Sequence, residues 1–368
     1  MSFSINGAKG FSLGNINKIN TNVSDTKFHV NEANSISNVS NYNINNSNNV
    51  ENMNLSNSSN GTETLDLNSS VTLNSSKSPA GIDYNQLKKD GYTAQGYTTY
   101  GDKVLITGYS KAGEKSRIYI YDNNTGNLSN VIILDNKSHV GGMSVDKNGI
   151  LFVTKSGGKI ETYNLKDLQK DFGNEKTIDF SDEKYAKYKI KNDINTGESE
   201  ATLYCYDGKV YTATYSSVGT LKEITYSFEN GMIKSNTRVI SNDIASNIQG
   251  LSIYKDNKGK EYLVVASSSE HIGSRIRIYE KNGDHLKRIV SCNSKMEGLE
   301  GIKIDNKGNI TGICEFGKQS VRDLGSVNDY IDRIKKSHVS LINNDFLFTI
   351  AGLVWDLQHA DISKIIKA

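Results

Sequence analysis

Gln95, Glu200, Gln249 and Glu300 each stand directly ahead of a small residue (Gly96, Ala201, Gly250 and Gly301), and a short strand-like run follows every time. Gly141 holds the same place ahead of Gly142 and Met143. Two positions earlier, on the same face of an extended strand, come His139 and Glu198. Glu297 shares its short segment with Glu300. If one mouth gathered Gln95, His139, Glu198, Glu200, Gln249, Glu297 and Glu300, it would be acidic and rich in oxygen. Crowded carboxylates either raise their own pKa values or take up a cation. Ca²⁺ accepts about six to eight oxygens, with Glu200 and Glu300 as its candidate ligands. In a catalytic version His139 would be the acid or base. No EF-hand loop, HExxH helix or paired-cysteine site occurs, so everything depends on the fold that would bring these residues together. The competing reading is structural: such residues hydrogen-bond between repeats and to channel water.

The elements that must position them are repeated strands. Ser116-Arg117-Ile118-Tyr119-Ile120-Tyr121-Asp122 returns as Ser274-Arg275-Ile276-Arg277-Ile278-Tyr279-Glu280, each followed by an Asn/Gly turn and a Leu. That pattern is a β-hairpin. Upstream of each hairpin, and in three weaker copies, a polar residue, a small residue, a strand, a Gly-containing turn and an apolar strand recur. Such units at a period of about 40–50 residues predict an all-β propeller, because helical periodicity inside the units is missing. Unit starts near Gln95, Gly141, Glu200, Gln249 and Glu300 predict five blades, with six the alternative. The fifth unit lacks an outer hairpin. Its missing strands could come from Val339–Trp355 or from the chain just before Asp83.

Composition divides the chain of 368 residues. Residues 1–82 are rich in Asn, Ser and Thr and hold too few large apolar groups to offset the entropy of ordering, so they read as a disordered leader. Residues 83–321 are assigned to the propeller. Residues 322–368 form an extension packing on the ring or closing it: Leu324, Val327, Ile331 and Ile334 have helical spacing, and Asp361–Ala368 suits a second short helix. Net charge is +2 without a basic block, which argues against nucleic acid. Cys205, Cys292 and Cys314 form no disulfide framework. The N-terminus lacks the basic start and apolar run of a standard signal peptide, leaving a non-standard route to the exterior or cell surface, or the cytoplasm. Phe346–Trp355 is too short to span a bilayer.

Other candidates are weaker. His271 and His285 read as turn residues, and no G-x-S-x-G elbow occurs. Tyr97, Tyr109 and Tyr215 fall on or near blade tops, where an aromatic face could stack on a sugar ring.

On the x-[QE]-G-[LYI] starts, the D/N-x-x-G-x-[IL] turns and the S-R-I-x-I-Y-[DE] hairpins, residues 92–320 resemble the bacterial β-propeller group of NHL, SMP-30-like and YncE-like repeat proteins. Glu297-Gly298-Leu299-Glu300-Gly301-Ile302 is similar to the EGLE-type blade of SdiA-regulated-like propellers. Val264–Ser268 with Arg275–Glu280 resembles a blade of calcium-dependent phytases, whose metal and phosphate ligands find no match here residue by residue. A likeness to helveticin-type secreted propellers rests on two blade starts alone. These motifs specify fold rather than activity.

The expectation is therefore a non-enzymatic propeller that binds a protein, glycan or small molecule at its channel mouth or on its blade-top loops. A Ca²⁺-dependent hydrolase or lyase, phytase-like or lactonase-like, is the alternative. Self-association through the Asn-rich leader is the third reading.

Overall fold

The computed structural model describes residues 64–66, 79–269, 273–294 and 296–336. Its first strand, β1 (Thr64–Asp66), precedes a short helix α1 (Asn85–Lys89). Blade one is β2 (Tyr92–Tyr100), β3 (Lys103–Ser110), β4 (Arg117–Asp122) and β5 (Leu128–Ile133). Blade two is β6 (Met143–Val145), β7 (Ile150–Lys155) and β8 (Lys159–Asn164). An excursion through α2 (Leu165–Leu168), β9 (Thr177–Asp179) and α3 (Glu183–Ala186) precedes its outer strand β10 (Ile194–Asn195). Blade three is β11 (Glu200–Tyr206), β12 (Lys209–Thr214), β13 (Leu221–Glu229) and β14 (Met232–Ser241). Blade four is β15 (Ile248–Lys255), β16 (Glu261–Ser269), β17 (Gly273–Asn282) and β18 (His285–Ser294). Blade five has three strands, β19 (Leu299–Ile304), β20 (Asn309–Cys314) and β21 (Arg322–Ser326), followed by helix α4 (Val327–Lys336). The chain folds as a five-bladed β-propeller.

Turn chemistry sets each meander. Asp207-Gly208 and Asn230-Gly231 close two-residue hairpins with positive φ at both positions, a conformation Asn, Asp and Gly tolerate. The Asp-x-x-Gly turns after β6, β15 and β19 are one device used three times. Asp146, Asp256 and Asp305 each accept, through Oδ1, backbone N–H groups two and four residues ahead.

Blades stick to one another through five apolar clusters, one for each adjacent pair. Leu105, Met143 and Val153 join blades one and two; Phe152, Leu203 and Val210 join two and three. Tyr211, Leu251 and Val265 join three and four; Val264, Ile302 and Ile310 join four and five. Tyr97, Ile106 and Ile313 close five onto one. The serine of each S-R-I hairpin reaches the next blade. Ser116 Oγ donates to Ser138 O at 2.6 Å, and Ser274 Oγ accepts from Leu299 N at 3.0 Å.

The chain around Asp83, one of the two sources considered for the missing strands, closes the ring through backbone bonds and a single bridge. Gly81 and Tyr84 donate backbone bonds to Val321 and Gln319, and Val321 donates back to Ile82. Tyr84 Oη bonds both N and O of Cys314 at 3.1 Å. These contacts meet residues 319–321, just ahead of β21, and do not supply a fourth strand. Val339–Trp355 and Asp361–Ala368 lie outside the described residues. The helical spacing over Arg322–Lys336 is corrected in its first third: Arg322–Ser326 is strand β21, paired with β20. Ser326 Oγ then accepts from Asp329 N, so the helix begins at Val327. Two added strands were not foreseen, both parallel: β9 on β5 and β1 on β18. Cys205, Cys292 and Cys314 are free thiols.

The glycine of four of the units now has a cause. A Cβ on Gly96 would lie 2.9 Å from Gly141 O, one on Gly142 2.7 Å from Leu203 N, one on Gly250 3.1 Å from Ile302 N, and one on Gly301 3.0 Å from Tyr97 N. Each neighbour is backbone of the next blade and cannot swing aside. Gly301→Ala is expected to cost about 1–3 kcal/mol in urea unfolding. Gly173→Ala, with open space around it, should stay within about 0.5 kcal/mol.

Candidate functional site

The predicted mouth residues sit where the inner strands begin, and most inner strands carry a β-bulge there. In blade four Ile248 pairs with Ser267 and Gly250 with Ala266, leaving Gln249 as the extra residue. In blade five Leu299 pairs with Cys314 and Gly301 with Ile313, leaving Glu300. In blade one Gln95 and Gly96 stand against the single Thr107. A bulge re-aims the side chain of its extra residue. Gln249 Nε2 accordingly reaches across to the neighbouring inner strand and donates to Glu300 Oε1 at 3.2 Å. Glu300 and Gln95 are almost wholly buried.

Blade three is offset by one. Glu200 pairs with Thr214 and Thr202 with Ala213, so the extra residue is Ala201. Glu200 corresponds to Ala94, Ile248 and Leu299, not to Gln95, Gln249 and Glu300. Its carboxylate turns along the blade, accepting from Thr212 Oγ1 at 3.1 Å and from Lys222 Nζ at 2.9 Å. Lys222 also donates to Glu198 Oε2 at 2.9 Å and to Thr196 O at 3.0 Å. The Lys222 and Glu200 side chains are 5% and 0% exposed, whereas Glu198 is 61% exposed. Burial holds Glu200 above the ordinary carboxylate range despite its partner. Burial also works to lower Lys222, but its bonds to Glu200 and Glu198 outweigh that and leave its pKa raised.

The structure thus joins Gln249 to Glu300 and Glu198 to Glu200, through Lys222, as two separate groups. Glu297 is exposed in the turn ahead of β19. His139 lies against Tyr109, ring centroids 4.0 Å apart, while much of the residue faces solvent. Burial against that ring, then the charge of Lys111, lowers its pKa below the usual imidazole value. Lys111 Nζ lies 3.6 Å from Glu315. Tyr215 and Val218 are exposed on the loop after β12. That loop opens on the same side of the ring, where second strands end and inner strands begin. Tyr97 does not belong to this face: it is buried and its hydroxyl meets Thr311 Oγ1 at 3.0 Å. His271 lies outside the described residues.

For Ca²⁺ the fit is poor. The ion would have to displace an ammonium from Glu200, and among the described residues no three His, Cys, Asp or Glu side chains gather to hold a metal. Lys222 was missed from the sequence because it is far along the chain from Glu200. The one signal was a Lys-Glu pair inside the apolar strand Leu221–Ile224.

No known family profile matches the chain, and no curated protein matches it. Among solved structures it is similar to three. The β-propeller domain of Myceliophteria thermophila Cps50 (Swd1) shares 10% identity over 61% of this chain and 64% of that one, TM-score 0.34. Myxococcus xanthus glutaminyl cyclase shares 10% over 63% and 90%, TM-score 0.40. A quinonprotein alcohol dehydrogenase-like protein of Bacteroides thetaiotaomicron shares 14% over 66% and 53%, TM-score 0.36. The chain spans a little under two thirds of the Cps50 domain. The assignment as a five-bladed β-propeller rests on this chain's own strand pairing. Among the described residues no helix is long and apolar enough to cross a membrane.

Lys222→Met would leave Glu200 buried without its cation and should cost about 3–5 kcal/mol. The deficit should shrink as pH falls. Without Lys222 the folded pKa of Glu200 lies above its unfolded value, so stability returns as pH drops through that folded value. Urea unfolding at about pH 5 and about pH 8 checks the direction, and adding Glu200→Gln should recover most of the loss at the higher pH.

Proposed function

We propose that this propeller is a non-enzymatic binding protein whose ligand, a protein segment or a glycan, seats on the mouth face of the ring. The observation that carries this reading is the contrast on that face. Tyr109 with His139, Tyr215 and Val218 offer aromatic and apolar surface, whereas Glu198 and Glu200 are tied to Lys222 and Glu300 is buried. Aromatic side chains supply large contact area at low entropic cost, and their faces suit sugar rings and peptide side chains alike. Resemblance to NHL-type and YncE-like repeat proteins accords with this. In the same reading the Asn-rich residues ahead of β1 act as a tether for the ring and hold a cell-associated protein in place.

Full-length protein, immobilised and probed with a glycan array and a peptide library, should retain a ligand. Tyr109→Ala with Tyr215→Ala should weaken capture by about tenfold or more, with the unfolding midpoint little changed. Absence of any retained ligand, combined with turnover of a small substrate, would overturn the reading.

A further inference from the structure

Two tripeptides, Ser-Arg-Ile and Thr-(Leu or Ile)-Asp, each occur twice in this chain, and the fold pairs them off. The S-R-I hairpins lie in blades one and four, and those are the blades that carry a fifth strand. On blade one it is β9, Thr177-Ile178-Asp179; on blade four it is β1, Thr64-Leu65-Asp66. Both run parallel to the outer strand and take the same register. Arg117 pairs with Ile133, which pairs with Asp179, just as Arg275 pairs with Asn293, which pairs with Asp66. The middle row matches too, with Ile118, Ile132 and Ile178 in blade one and Ile276, Cys292 and Leu65 in blade four. Among the described residues blades two, three and five have no fifth strand, and none of them has an S-R-I hairpin.

The β9 copy shows what the tripeptide supplies. Its middle residue, Ile178, is wholly buried in the apolar cluster between blades one and two. Val131 N donates to Lys176 O at 2.9 Å and Phe180 N donates to Ile133 O at 3.0 Å, so backbone bonds continue past both ends. Asp179 Oδ1 then accepts from Ser181 N at 2.8 Å, closing the turn that takes the chain off the edge. An aliphatic centre followed by an acid that starts a turn thus has a physical reason on this edge. An open sheet edge is a template for such a strand, with backbone bonds for affinity and side-chain positions for selectivity. The two donors differ in origin. β9 is held between strands β8 and β10 of blade two, which pair with each other. β1 lies outside the blades, and residues 67–78 separate it from the rest of the described chain. A segment joined to its site through such a connection can be traded for the same segment of another copy at little cost, because each bond lost in one molecule is regained in the next.

We propose that the outer edge of blade four is a binding site for a Thr-(Leu or Ile)-Asp strand, and that copies of this chain exchange residues 64–66 through it. The N-terminal region of one molecule is thereby coupled to the ring of another. This interface is separate from the mouth face and stands whether or not that face binds a ligand. The test uses two variants of the full chain. In Leu65→Cys the new thiol stands opposite the free thiol of Cys292, at the spacing of neighbouring strands, about 4.8 Å, which a disulfide can span. Oxidation should link one chain to another, giving a dimer on non-reducing electrophoresis whose share grows with protein concentration. Adding Cys292→Ser should abolish that dimer. In Thr64→Pro with Leu65→Pro, one of the two prolines removes a ladder N–H, because successive N–H groups of a strand point to opposite sides. The vacated edge should then bind a labelled peptide of residues 61–69 about tenfold or more tighter than the wild-type chain does, since the wild type's own segment competes. The same peptide with Leu65→Asp should not bind. A link confined to single chains at every concentration would overturn the exchange. Failure of Leu65→Cys to link to Cys292 at all, or equal binding of the two peptides, would overturn the site itself.

Discussion

At the mouth of the ring, neighbouring inner strands pass so close that four of the five blades leave little or no room there for a side chain. Gly96, Gly142, Gly250 and Gly301 each face backbone of the next blade at distances a Cβ would violate. The rest of the architecture follows from that approach. Five wedge-shaped sheets can close a circle only if their inner corners touch, and their faces are then packed together through one apolar cluster per junction. The junction of blades five and one is the one the chain cannot make between consecutive residues. There residues 81–84, Tyr84 and Tyr97 supply the contacts that adjacent sequence supplies elsewhere.

The same closeness explains the bulges. An inner strand that must bend toward the axis accommodates the extra residue at its start, and the extra residue loses its ladder partner. In blades one, four and five that residue is Gln95, Gln249 or Glu300. In blade three it is Ala201, and the acid one place earlier is carried onto the blade. A one-residue shift thus separates a carboxylate at the channel from one locked against Lys222. The locked pair is no strong argument for stability by itself, since desolvation offsets much of the attraction. It does tie β11 to β13, and blade three adds the exposed Tyr215 and Val218 to the mouth face beside the lysine-paired Glu198.

Much of the fold was legible in the residues. Asp-Gly and Asn-Gly turns, three Asp-x-x-Gly turns and two S-R-I hairpins have local causes, and each formed where its own chemistry required. Five starts became five blades. The helical spacing after residue 321 misled for a definite reason: Leu324 serves the core equally well from a strand, and only the cap at Ser326 decides where the helix begins.

For the site, residue types and a repeating frame determined that polar groups stand at the inner ends of the blades and that glycine or alanine must follow them. Tertiary structure alone decided which of those groups share a wall. Register at a bulge, the reach of Lys222 from another strand and the contact of Tyr109 with His139 depend on distances between strands and between neighbouring blades, and no local spacing encodes them. A side chain's neighbours within a turn are written in its own segment, whereas its neighbours across a closed circle exist only once the last blade meets the first.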